Sequence, residues 1–153
     1  MVAQFKKAST MRRHPLPLFL PALLLLGANS AHADDQILGR WMDNSPQRAP
    51  IGALEVTRDK ITLGKVTYDV TPAGAFGKGT LYAVKGLNQK ADPYGCGPTG
   101  KLTYLIMEPL PPDPSVNQEA LLVIFYSGPN APKPETIKTD FGVCGQHPFG
   151  RGK

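Results

Sequence analysis

Apolar and polar residues alternate most regularly between Leu54 and Val70, LEVTRDKITLGKVTYDV. With Arg58-Asp59 and Gly64-Lys65 at the centres of two tight turns, Val56 faces Ile61, Leu54 faces Leu63, Leu63 faces Val66 and Ile61 faces Tyr68. One side of a three-stranded meander is then wholly apolar. The same register sets Glu55 opposite Thr62, Thr62 opposite Thr67 and Lys60 opposite Asp69 on the other side, the cross-strand pairs that stabilise antiparallel sheets. Alternation, turn chemistry and charge pairing agree, and they predict an antiparallel sheet with one buried face.

The rest of the chain supplies further strands at similar spacing. Residues 37–42, ILGRWM, form a short strand candidate carrying the only Trp, and residues 44–50 are a loop bounded by Pro46 and Pro50. Residues 71–79, TPAGAFGKG, read as a glycine-rich loop outside the sheet; its Phe76 either folds back to plug one end of the core or serves as a lid over a ligand. Strands follow at 80–85 and 101–108, and the proline-rich stretch 109–118 connects to EALLVIFY at 119–126. The unbroken apolar run of 121–125 implies burial on both faces of a central strand, with a short buried helix as the alternative. Residues 127–134 are a rigid loop, the last strand candidate lies within 137–145, and 147–153 read as a loose tail. About eight short strands without an amphipathic helix predict an all-β fold, a small antiparallel meander barrel with Gly and Pro at its connections. Strands of about six residues close a barrel filled by its own side chains.

The first 33 residues read as an address. Lys6, Lys7, Arg12 and Arg13 form a basic start, residues 16–27 an apolar core, and Ala31-His32-Ala33 a small-x-small cleavage signal. The apolar run is short and broken by Pro17 and Pro21, whereas a spanning helix needs about 20 residues. A signal peptide over 1–33 and a single β-barrel domain over 34–153 follow, with no membrane anchor after processing and a periplasmic or secreted location. Arg12-Arg13 invites a twin-arginine route, but Pro15 stands where a hydrophobic residue is expected, which favours general secretion. Four of the 17 Lys and Arg residues lie in the leader and all 12 Asp and Glu residues follow it, so the processed chain is near neutral and has no basic surface for nucleic acid. Its two cysteines, Cys96 and Cys144, are expected to form a disulfide in an oxidising compartment, with two free thiols as the alternative. Closing that loop of about 49 residues contributes about 4 kcal/mol in the chain-entropy account.

Gly39-Arg40-Trp41, on a first strand just inside the processed N-terminus, resembles the G-x-W signature of lipocalins and related calycin barrels. The match covers three residues. In that family the Trp closes the barrel base and packs against an Arg contributed late in the chain, a role the resemblance gives to Arg151. Thr139-Asp140-Phe141 looks like the family's second motif, T-D-Y, although few residues follow it here. Trp41 with Ile51-Gly52-Ala53 is also similar to the start of avidins, which line their site with several Trp residues where this chain has one. The resemblance implies a calycin-like barrel with Gly39 and Trp41 as core signature residues, and it carries over no binding residues.

Catalytic constellations are sparse. The spacing Gly95 to Lys101 fits G-x-x-x-x-G-K, but Leu102 stands where Ser or Thr must hold magnesium, and KLTYLIME opens a strand where a phosphate loop needs a helix. The one histidine of the processed chain, His147, reads as a surface residue of the tail, and one His with two Cys cannot assemble a zinc site. Asp34, Asp35, Asp43, Asp92, Glu108 and Asp113 could pair as acid and base only if the fold brought two together. Neither metal nor cofactor is expected, and the protein is expected not to be an enzyme. Aromatics in loops are the better indication of contact: Phe76, Tyr94 and Phe149 either form a recognition surface or cap the barrel ends. Two functions remain. A lipocalin-like barrel would hold a small apolar ligand; alternatively, rigid loops would bind a protein partner, as small disulfide-bonded barrels do when they inhibit lysozymes or peptidases. A cavity of about 300 Å³ or more favours the ligand and a packed core favours the loops.

Overall fold

The computed structural model describes residues 35–43, 45–48, 52–90, 92, 100–115 and 117–152. The expected leader, Tyr94 and Cys96 lie outside them. The described residues form β1 (Gly39–Asp43), β2 (Leu54–Val56), β3 (Lys60–Leu63), β4 (Val66–Phe76), β5 (Gly79–Leu87), β6 (Tyr104–Pro109), β7 (Gln118–Tyr126) and β8 (Val143–Gly152), with a 3-10 turn at Ile137–Thr139 before β8. Each strand pairs antiparallel with the next, and β8 returns to β1 through Met42 opposite Gly150 and Asp43 opposite Phe149, closing a barrel.

The 54–70 meander folds in the register its alternation predicts. Leu54, Glu55 and Val56 oppose Leu63, Thr62 and Ile61, and Lys60 to Leu63 oppose Asp69 to Val66. Lys60 Nζ donates to Asp69 at 2.7 Å, and the hydroxyls of Thr62 and Thr67 meet at 3.0 Å. Both pairs stand on the outer surface while Leu54, Val56, Ile61, Leu63, Val66 and Tyr68 are buried inside. Cross-strand partners share a face. The inner wall therefore continues through Tyr82, Leu105, Met107, Leu121, Val123, Phe125 and Phe149, which pack with Trp41 into one cluster.

A second apolar layer lies outside the barrel. Leu81, Ile106, Ile124 and Tyr126 turn their side chains to the outer face of β5 to β7, where Phe76 and Ile137 pack on them. The connection 127–142 crosses this face as a strap. Tyr126 is its clamp: a Cβ at Gly128 or Gly142 would lie 2.3 Å or 2.6 Å from the Tyr126 side chain, so only glycine allows the strap to close on both sides. Tyr126 Oη donates to Asp140 at 3.0 Å, and Thr103 Oγ1 donates to the carbonyl of Gly128 at 2.6 Å. The double burial expected of residues 121–125 is met by barrel core on one side and strap on the other.

Three expectations are corrected. Residues 71–79 are not a loop outside the sheet: β4 runs through Phe76, with a register shift against β5 between Pro72 and Gly74. Of the expected loose tail, 147–153, residues 147–152 are instead the end of β8, which pairs along its length with β7, and Lys153 lies outside the described residues. The final strand begins only at Val143, because 137–139 turn as a 3-10 helix. Several strands also exceed six residues, reaching 11 in β4 and 10 in β8.

Candidate functional site

The barrel has two ends. Its base carries the 57–59 and 77–78 turns, the end of β6, the start of β7, the chain entry and the end of β8; its mouth carries the end of β1, the start of β2, the 64–65 turn, the end of β5, the start of β6 and the 127–142 connection.

At the base, residues 35–37 make a helical turn before β1. Gly39 then adopts φ +108°, where an L side chain is strained, and a Cβ there would also contact Arg151. The indole of Trp41 donates to the carbonyl of Ile37 at 2.9 Å. The guanidinium of Arg151 covers the Trp41 ring at 4.1 Å. Its Nε donates to Glu119 at 2.6 Å, Nη1 to the Leu38 carbonyl at 2.7 Å and Nη2 to the Gln36 carbonyl at 2.7 Å. This bidentate use of backbone carbonyls needs the planar fork of Arg, which Lys lacks. The Trp to late-Arg contact is the one the G-x-W resemblance implies. Beside it opens a cleft of about 240 Å³ with apolar walls from Trp41, Pro109, Leu110, Pro112 and Ala120, and a polar rim from Gln36, Glu119 and Arg151.

At the mouth, a polar group faces inward. Asp43 opposes the core residue Phe149, and His147 opposes the core residue Val123. The Asp43 side chain is 2% exposed and accepts from Arg48 Nε at 2.8 Å, Arg48 Nη2 at 3.1 Å and the Ser45 amide at 2.8 Å. Burial raises its pKa, but the Arg48 and Ser45 hydrogen bonds outweigh that and hold the carboxyl below its ordinary value. The His147 ring packs on Phe125 at 5.3 Å, and its buried Nδ1 has no hydrogen-bond partner among the described residues. Burial and the charge of Arg48 push the imidazole below its ordinary value of 6.5, with Asp43 pulling the other way. His147 is therefore not a surface residue of a tail. Its partners come from β1 and the following loop, about a hundred residues away in sequence, and its spacing gave no sign of them.

The predicted contact residues are not brought together as a surface. Phe76 is 4% exposed beneath the strap and Phe149 is 1% exposed in the barrel core, so neither ring can meet a partner. Phe76 plugs the outer layer rather than an end of the barrel. Tyr94 lies outside the described residues, as does Cys96; Cys144, at the start of β8, is not a free thiol. Of the carboxylates expected as possible pairs, Asp34 lies outside the described residues and four are bound to groups other than a carboxylate: Asp35 to Arg58, Asp43 to Arg48, Asp92 to Tyr68 and Asp113 to Ser115. Among the described residues, no group of three His, Cys, Asp or Glu is placed to hold a metal ion, and no helix is long and apolar enough to cross a membrane.

Phe141 was not singled out as a contact residue, and it is the most exposed large apolar side chain described, with relative accessibility 104%. The turn beneath it is pinned. Asp140 accepts from the Gly142 amide at 2.8 Å and from Tyr126, and the Ser127 amide donates to the Gly142 carbonyl at 2.9 Å. An exposed Phe within a strand-like T-D-F stretch carries no sequence signal of its exposure; only the strap reveals it.

Fold and site together define a class: a filled, eight-stranded antiparallel barrel with an arginine-stapled base and an aromatic presented beside its mouth. No family model, no curated protein and no solved structure matches the chain.

Proposed function

We propose that the protein is an exported, non-catalytic binding module whose work is recognition of another protein through the connections at its mouth, with Phe141 as the anchor. The observation that carries this reading is the filled interior. Trp41, Tyr68, Tyr82, Met107, Phe125 and Phe149 occupy the space in which a lipocalin-like barrel would hold its ligand. Binding then falls to the outside, and an exposed aromatic on a pinned turn is what a protein interface uses as a hot spot, because little conformational freedom is lost on docking. Inhibition of an envelope or extracellular enzyme, such as a lysozyme or peptidase, is a function suited to such a module.

Export through the 1–33 leader and a Cys96 to Cys144 disulfide belong to the same reading. They are supported by the leader pattern, by the presence of only two cysteines in the chain, and by Cys144 not being free. A bridge would tie the 88–103 connection to the start of β8 and brace the turn that carries Phe141. A photo-crosslinking residue placed at position 141 in the producing cell tests the reading, with position 55 on the outer face of the meander as control. One stoichiometric protein adduct from position 141 alone supports it. Equal labelling from both positions, or none, refutes it.

A further inference from the structure

The cleft at the base is remote from the mouth and plays no part in the proposed recognition of a protein. Its walls are rigid: Pro109 and Pro112 have fixed φ, and Trp41 is locked by the Ile37 carbonyl on its indole nitrogen and by Arg151 on its face. At about 240 Å³ it lies below the roughly 300–1,000 Å³ of pockets for drug-sized molecules. Any occupant is therefore compact.

The rim decides its chemistry. Arg151 places three of its five N–H donors on Glu119 and the carbonyls of Leu38 and Gln36 and its flat face on Trp41, so its positive charge is paired with Glu119 within the protein. Glu119 is bound to Arg151 through Oε2 only, and its side chain is 43% exposed, leaving Oε1 as an acceptor at the rim. The site thus offers an apolar floor and a carboxylate oxygen, while the charge of its guanidinium is paired with that same carboxylate.

We infer that this cleft binds a small apolar molecule with a hydrogen-bond-donating head, an amine or a hydroxyl, which seats its body between Trp41 and the two prolines and donates its head to Glu119. Carboxylates bind more weakly, because Glu119 repels them and already pairs the charge of Arg151. The inference is independent of the reading at the mouth: either can fail without the other.

Trp41 is the only Trp in the chain and lines this cleft, so its fluorescence reports on this site alone. Benzylamine, benzyl alcohol and benzoate, titrated separately into the whole protein, are the probes. Benzylamine and benzyl alcohol should give a saturable change with Kd of about 1 mM or tighter, and benzoate should bind at least about tenfold more weakly. Glu119→Gln, which removes the carboxylate and keeps the size of the side chain, should weaken benzylamine by at least about tenfold and remove the discrimination against benzoate, with the circular dichroism spectrum unchanged. Should that variant misfold, amide shift mapping on the wild type replaces it, with shifts expected at Gln36, Leu110, Glu119 and Ala120. No saturation, benzoate binding as well as benzylamine, or shifts centred elsewhere would each overturn the inference.

Discussion

The guanidinium carbon of Arg151 lies 4.1 Å from the centre of the Trp41 ring, joining the last strand to the first across the base of the barrel. Among the described residues these strands share two paired positions, Met42 with Gly150 and Asp43 with Phe149. Closure beyond that short ladder depends on side chains. Arg151 supplies it by stacking on the indole while bonding the chain on either side of Ile37.

Arg151→Lys keeps the charge and loses the fork. We expect it to destabilise the fold by about 1.5–3 kcal/mol, the range for losing hydrogen bonds to a charged group. Hydrogen exchange should rise selectively at residues 35–43. A shift in urea midpoint with unchanged protection of β1 would place the stabilisation elsewhere.

Gly142→Ala puts a methyl group 2.6 Å from the Tyr126 ring. Overpacking of this kind costs about 1–3 kcal/mol. Here it should loosen the strap before the barrel, so that dye binding to the outer face of β5 to β7 rises while the far-ultraviolet spectrum holds. Full stability in this variant would show that the strap is not clamped on Tyr126.

His147 predicts a pH dependence. Its folded pKa is depressed below 6.5 by burial and by Arg48, so the unfolded chain binds its proton more readily. The stability this contributes is fully present above 6.5 and is lost as pH falls from 6.5 through the folded pKa. His147→Leu should flatten denaturation midpoints across that window. Asp43, also depressed, acts at lower pH: its contribution is present above 3.8 and is lost as pH falls through its own folded value.

The same pair gives a second test. Asp43→Asn removes the charge that opposes Arg48 at His147, so the imidazole should titrate lower still, as read by NMR of its ring protons. The variant should also lose about 1.5–3 kcal/mol with the charge-assisted bonds from Arg48. An unchanged or raised His147 titration would mean that Asp43 and Arg48 do not act on it from the mouth.

The meander from Leu54 to Val70 was legible because every level of its sequence agreed: alternation set the faces, the Arg58-Asp59 and Gly64-Lys65 turns set the register, and Lys60 with Asp69 fitted both. β7 was legible as a strand buried on two faces from its unbroken apolar run. β8 was not, since GQHPFGRG offers three glycines and a proline along a ladder, and its position is imposed by β7 and by Arg151 rather than by its own propensity. The second half of β4 was hidden in the same way, its TPAGAF stretch being held by pairing to β5 across a register shift between Pro72 and Gly74. Trp41 and Arg151 were readable as a pair only through the resemblance carried by Gly39-Arg40-Trp41. Neither the inward group of Asp43, Arg48 and His147 nor the exposure of Phe141 leaves a local trace, because each depends on which strand faces which.

The central claim is that the barrel is filled by its own side chains and acts from its outside. Native mass spectrometry of the protein purified from its producing cell, without organic solvent, tests it most directly. The account predicts the polypeptide mass, less the leader and two hydrogens, free or bound to a protein partner that Phe141→Ala releases. A stoichiometric apolar molecule that survives Phe141→Ala and leaves only on unfolding would contradict it.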